Sequence, residues 1–274
     1  MNIDYEKIDK VLNDYAINKI YDILSYFKNF ISTDVTEKFE NAILNNKIIN
    51  VNKPSQKDTA FFNNSIPYAH GPRTKNDGMI NIYPYLYKKN TDEIINTYIN
   101  EGIITHELMH FIIILDFKDE NKLNEEFGHY INEGMVQLFT EQLDKKKFEN
   151  VEYRKNIELA EDLLKIAPID KILSNSLKNI LSNEEFLQMR KLYIKQKKLI
   201  KKIEELVDKI STHYAIDSKT IIRSFKRKTT RETFDYLRKN LENLENSNIK
   251  NELLIELDNI EKNYYKEKEV IHKL

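Results

Sequence analysis

Apolar residues recur at helical spacing near the start of the chain, at Ile8, Val11, Leu12, Tyr15, Ile20, Ile23, Leu24, Phe27 and Ile31. Such a stripe predicts one or two amphipathic helices over residues 4–45. Two short runs of another character follow. Lys47–Val51 and Gly78–Leu86 are rich in Ile and Tyr, are bounded by turn residues and predict strands. Pro84 cannot donate a ladder hydrogen bond, so the second run is expected at a sheet edge. An exposed edge is what a peptide needs to add itself as an extra strand. Beyond residue 150 the pattern is helical to the end, with Pro168 as its clearest break. Leu192, Leu199 and Leu206 alternate there with Ile203 and Ile210, and Phe234, Leu237, Leu241 and Leu244 repeat the theme. Two or three heptads are too few for a coiled-coil dimer and predict helix pairing within the chain. The expected class is α+β, predominantly α, with a region of helices and a small sheet over 1–150 and a helical region over 151–274.

All five glycines (Gly71, Gly78, Gly102, Gly128, Gly134) fall in the middle of the chain, and so do Pro54, Pro67, Pro72 and Pro84. Turns and strands should therefore concentrate between about residues 46 and 134. His70, His106, His110 and His129 lie there too, which directs the search for chemistry to this segment.

Residues 103–112 read Ile-Ile-Thr-His-Glu-Leu-Met-His-Phe-Ile. On a helix His106 and His110 project from one face, one turn apart, and can share a metal ion. Glu107, beside the first ligand, can take a proton from a metal-bound water. Three polar groups inside so apolar a run are costly to bury unless something satisfies them, and a metal does. The plainer alternative is a chance motif with structural histidines.

Composition narrows the donor set. The chain has no cysteine, so disulfides and thiolate ligands are both excluded, and any metal must be held by His and carboxylates. A zinc site needs a third protein ligand and one open position. Glu133, within Tyr-Ile-Asn-Glu-Gly-Met-Val-Gln, is the best candidate, since its carboxylate also lies in an apolar helical run. Gly134 beside it should let this helix approach the His106 helix closely. Asp116, His129, Glu125 and Glu126 compete for the role. Asp116 stands where metzincins carry a third ligand, but the required sharp turn would fall on Ile113, where a β-branched run resists it. The other three lie in a polar stretch that should be solvated.

His106-Glu107-x-x-His110 followed by Asn132-Glu133 resembles the gluzincin metallopeptidases, which include thermolysin-like and M1-type enzymes. The likeness spans about forty residues and is silent on the rest. It implies one zinc per chain, a helix pair carrying the ligands, and a zincin-like domain with a small mixed sheet. In that frame Gly78–Leu86 would be the substrate-binding edge strand, and Glu107 would activate the zinc-bound water for peptide-bond hydrolysis. Thermolysin-like enzymes carry an acidic residue four positions after the ligand Glu, where it orients a ligand histidine. Gln137 stands there in this chain, and its amide oxygen can still accept from an imidazole N–H. Related enzymes stabilise the oxyanion with a His or Tyr from their helical half, a role His213 or Tyr214 could fill from a loop between two helices. His70, in Tyr-Ala-His-Gly-Pro, reads as a turn residue. Gly78-Met79-Ile80-Asn81 is only a faint likeness of the M1 box that grips a free amino terminus and lacks its Glu, which favours an endopeptidase.

The expected partner is a peptide or protein substrate. With 43 basic and 44 acidic residues, the net charge of −1 offers no global attraction for nucleic acid. Basic clusters at residues 191–202 and 223–231 could still bind an anionic surface, but Glu204, Glu205 and Asp208 suggest a solvated helix face instead. A zincin-like binding protein without catalysis would be a further alternative; it predicts a damaged motif, and this one is intact. No apolar run reaches the length of a membrane span. The amino terminus, MNIDYEKIDK, has no apolar signal core, so a cytoplasmic location is expected, with leaderless export as the alternative. Oligomeric state is left open.

Overall fold

The computed structural model describes residues 3–31, 33–45, 48–53, 69–70, 80–86, 89–113, 122–148, 154–167, 182–214, 217–245 and 247–272. They form α1 (Tyr5–Phe27), α2 (Thr33–Leu44), β1 (Ile49–Val51), β2 (Ala69–His70), β3 (Ile80–Ile82), α3 (Thr91–Asn100), α4 (Ile103–Met109) and α5 (Lys122–Asp144). These are followed by α6 (Arg154–Ile166), α7 (Asn183–Tyr214), α8 (Ser218–Lys226), α9 (Thr230–Glu242) and α10 (Asn248–His272). Among the described residues helix predominates, as the hydrophobic periodicity predicts, beside a small mixed sheet. No described helix is long and apolar enough to cross a membrane. The chain divides into two compact units, Met1–Ile114 with Val136–Phe148, and Leu115–Met135 with Glu149–Leu274. Helix α5 runs through both.

In the first unit, Asp4 caps α1 by accepting from the Lys7 N–H. Ile8, Leu12, Ala16, Ile20, Ile23 and Phe27 then form the buried stripe of α1, which packs against β1, α3 and α4. The strand order is β1-β3-β2, with β1 parallel and β2 antiparallel to β3. Central placement of β3 corrects the expectation of an edge strand. Ile80, Asn81 and Ile82 are all buried, as an interior strand requires, and Pro84 falls beyond the ladder in a 3-10 turn, Pro84–Leu86. On the other side of β1 from β3, buried Asn13 of α1 pairs with the strand backbone. Its Oδ1 accepts from the Ile49 N–H at 2.9 Å and its Nδ2 donates to the Ile49 carbonyl at 3.2 Å.

Helix α3 begins with a reciprocal capping box between Asn90 and Glu93. Glu101 and Gly102 turn the chain directly into α4. Gly102 has φ +69°, and a Cβ there would stand 2.5 Å from the Phe148 ring, so both conformation and space demand glycine. From the other end of the unit, Phe139 of α5 meets Phe27 edge to face, and Asp144 accepts from Lys19 at 2.7 Å.

In the second unit, Phe127 of α5 packs on Phe186 and Tyr193 of α7. Leu199, Ile203, Leu206 and Ile210 of α7 join Phe234, Leu237 and Leu241 of α9 and Leu253 and Leu257 of α10 in one core. The short heptads therefore pair helices within the chain. Gly134 serves this unit: a Cβ on it would stand 2.1 Å from the Asn156 carbonyl of α6. Its missing side chain admits α6, not the His106 helix as its sequence position suggests. Glu158 of α6 accepts from the Thr230 N–H and hydroxyl at 2.9 and 2.6 Å, placing a carboxylate at the start of α9. Nearby, Lys155 donates to the Lys228 carbonyl and to the Thr233 hydroxyl. Burial pushes the Lys155 ammonium down to about 8 and raises the Glu158 carboxyl.

Candidate metal centre

Helix α4 turns Ile104, Thr105, Leu108 and Met109 into the core and leaves His106, Glu107 and His110 half-buried. His110 follows the last helical residue and remains αR, its N–H reaching the His106 carbonyl at 3.3 Å. The two imidazoles stand one turn apart, ring centres 4.9 Å from each other and planes at 80°. Thr105, on the opposite side, exchanges a 3.3 Å hydrogen bond with Tyr15 of α1 and helps fix the helix's rotation.

Helix α5 brings the third donor. Glu133 is only 9% exposed. His106, His110 and Glu133 each offer a ligand atom within 4.8 Å of the others. Donors at metal–ligand bond lengths of about 2.0–2.2 Å around a tetrahedral ion lie roughly 3.4 Å apart, so a modest closing of side chains suffices. One turn further along α5, Gln137 is 4% exposed and its Oε1 lies 2.8 Å from His106 Nδ1. An amide oxygen only accepts, so Nδ1 carries the proton and Nε2 keeps its lone pair for a cation. Two neutral nitrogens and one carboxylate suit a borderline divalent ion such as zinc; a hard cation prefers an all-oxygen cage. The group could therefore hold a metal ion.

Other candidates are not part of the group. His129 Nδ1 is 3.8 Å from Glu133 Oε1 but the side chain is 76% exposed, and Glu126 is paired with Lys197 at 2.6 Å. Asp116 and the Glu125 side chain lie outside the described residues. His213 is exposed in the last turn of α7, which corrects its expected position in a loop, and the Tyr214 hydroxyl is engaged with Ser247 at 3.0 Å. His70 lies in β2, not in a turn. Of the faint M1-like box, Gly78 and Met79 lie outside the described residues, whereas Asn81 Oδ1 accepts from Asn50 and Asn52.

Sequence reasoning missed Glu141, whose Oε1 accepts from the Phe148 N–H at 3.1 Å and from Gln137 Nε2 at 3.5 Å. The available signal was spacing: Glu133, Gln137 and Glu141 repeat every four residues on one helix face. On the basic helix α7, Lys195, Lys197 and Lys201 pair with Glu267, Glu126 and Glu205. Lys191, Lys195, Lys198 and Lys202 line an open cavity of about 430 Å³ with Tyr264 and Glu267. Compared with protein-family models, curated proteins and solved structures, the chain gives no match.

Proposed function

We propose that this protein is a zinc-dependent metallopeptidase of the gluzincin type, hydrolysing peptide bonds with His106, His110 and Glu133 as ligands and Glu107 as general base. The single observation that carries the reading is the convergence of those three ligand atoms from helices α4 and α5. A bound zinc would lower the pKa of water at the site and polarise the scissile carbonyl. With Gln137 Oε1 accepting from its Nδ1–H, His106 would present Nε2 to the ion. Glu107 accepts a proton from the attacking water as the carbon–oxygen bond forms. The same carboxyl then protonates the amide nitrogen as the carbon–nitrogen bond breaks, leaving a carboxylate and an amine. Endopeptidase action is favoured because Gly78-Met79-Ile80-Asn81 has no carboxylate to hold a free substrate amino terminus.

The test starts with native mass spectrometry of untagged protein supplied with zinc at neutral pH, where one zinc per chain is expected. A peptide library should then be cleaved, and Glu107→Gln should retain zinc while losing nearly all hydrolysis. Full activity in that variant would refute the mechanism. Zinc bound without cleavage of any peptide would leave a zincin-like binding protein, and no zinc at all would make the histidines structural.

A further inference from the structure

We infer that Glu141 is a positioning residue for the metal centre, acting through Gln137 to hold His106 in its Nδ1–H tautomer. The consequence for metal affinity rests on the metal-centre reading above, but the tautomer does not.

A glutamine amide can present either end to a neighbour. With Oε1 toward His106, Nδ1–H donates and Nε2 carries the lone pair; with the amide reversed, Nδ1 must accept, and the ring proton moves to Nε2. Gln137 alone does not choose between these arrangements. Glu141, four residues on along α5, does. Its Oε1 lies 3.5 Å from Gln137 Nε2, so the observed amide turns a donor toward a carboxylate. The reversed amide would face that carboxylate with a second oxygen. At 3.5 Å the bond itself is weak, but the repulsion avoided by this choice is not, because Gln137 is buried and poorly screened. Polarised by the carboxylate, Oε1 also becomes the better acceptor for the 2.8 Å bond to His106.

Glu141 is in turn held by the Phe148 N–H at 3.1 Å. The Phe148 ring covers Gly102, the residue that begins α4. The links therefore form a circuit, from the start of α4 through Phe148, Glu141 and Gln137 back to His106 on α4. A neutral amide replaces the carboxylate that normally touches such a ring, and the carboxylate is moved one helical turn back.

The experiment is two-bond ¹H–¹⁵N correlation on protein labelled at the histidine ring nitrogens, metal-free, at a pH where the rings are neutral. Wild type should show His106 as the Nδ1–H form. Glu141→Leu should shift it toward Nε2–H and weaken zinc, measured by chelator competition, by roughly 10–100-fold, the usual effect of losing an outer-shell partner. Glu141→Gln, which still offers an oxygen to both donors, should restore most of both. An Nε2–H signal in wild type would overturn the inference without any variant, and so would an unchanged tautomer in folded Glu141→Leu. The Nδ1–H signal, lost in Glu141→Leu, supports it even if wild type takes up no zinc, an outcome that counts against the proposed function alone.

Discussion

At the scale of single residues, the informative positions are polar groups placed where burial is costly. Glu133→Ala is expected to weaken zinc binding by more than the roughly 10–100-fold typical of an outer partner, since it deletes a ligand; chelator competition reads this directly. Lys155 makes a second prediction. Its ammonium is depressed when folded, so between about pH 8 and its ordinary value near 10.5 the unfolded chain binds more protons. Stability should therefore rise with pH across that window, by on the order of 1–2 kcal/mol from pH 8 to 9.5. Above about pH 10 it should fall again, because burial raises Tyr130 and Tyr264 and the unfolded chain loses those protons first. Urea unfolding of wild type and Lys155→Met at pH 8 and 9.5 checks this, the variant lacking the rise. The grouping of His106, His110 and Glu133 was legible in the sequence because a polar group in an apolar helical run needs a reason. Asn13 and Glu141 were not: one serves a strand 36 residues away, and the other reads as an ordinary helix-surface acid.

Helices were the most legible elements, since an apolar stripe repeating every three or four residues fits no other regular backbone geometry. Strands β1 and β3 were found by composition, but β2 and the strand order were not. Pro84 suggested an edge because its place beyond the ladder cannot be told from the sequence, and β3 is central. Asn13→Leu should cost roughly 2–4 kcal/mol, because it strands both the N–H and the carbonyl of Ile49 away from water. Gly102 at the start of α4 and Gly134 within α5 were visible in the sequence without their purposes. Gly134→Ala must displace the α6 backbone at Asn156 and should cost roughly 3 kcal/mol or more, read as a lower urea midpoint. Such a loss would follow from the packing of the second unit, so it should appear in metal-free protein as well.

For the whole molecule, a ligand that binds only the folded state stabilises it by mass action. Zinc at a hundred times its dissociation constant should add about 2.7 kcal/mol. At roughly 2–4 °C per kcal/mol, the melting temperature should rise by about 5–10 °C and fall back on chelation. Glu107→Gln should show the same rise, and Glu133→Ala should not.

The division of α5 also bears on how the protein is made. The first compact unit is completed by residues 136–148, which follow a stretch counted with the other unit. A ribosome releases the His106 helix well before Glu133, Gln137 and Glu141, and for that interval the nascent chain carries two histidines and no cage. The three candidate ligands are all present once Glu133 has emerged, but the Phe148 seat on Gly102 cannot form until residue 148 follows. Premature termination between those two points yields a chain that carries every candidate ligand but lacks the Phe148 contact at the start of α4.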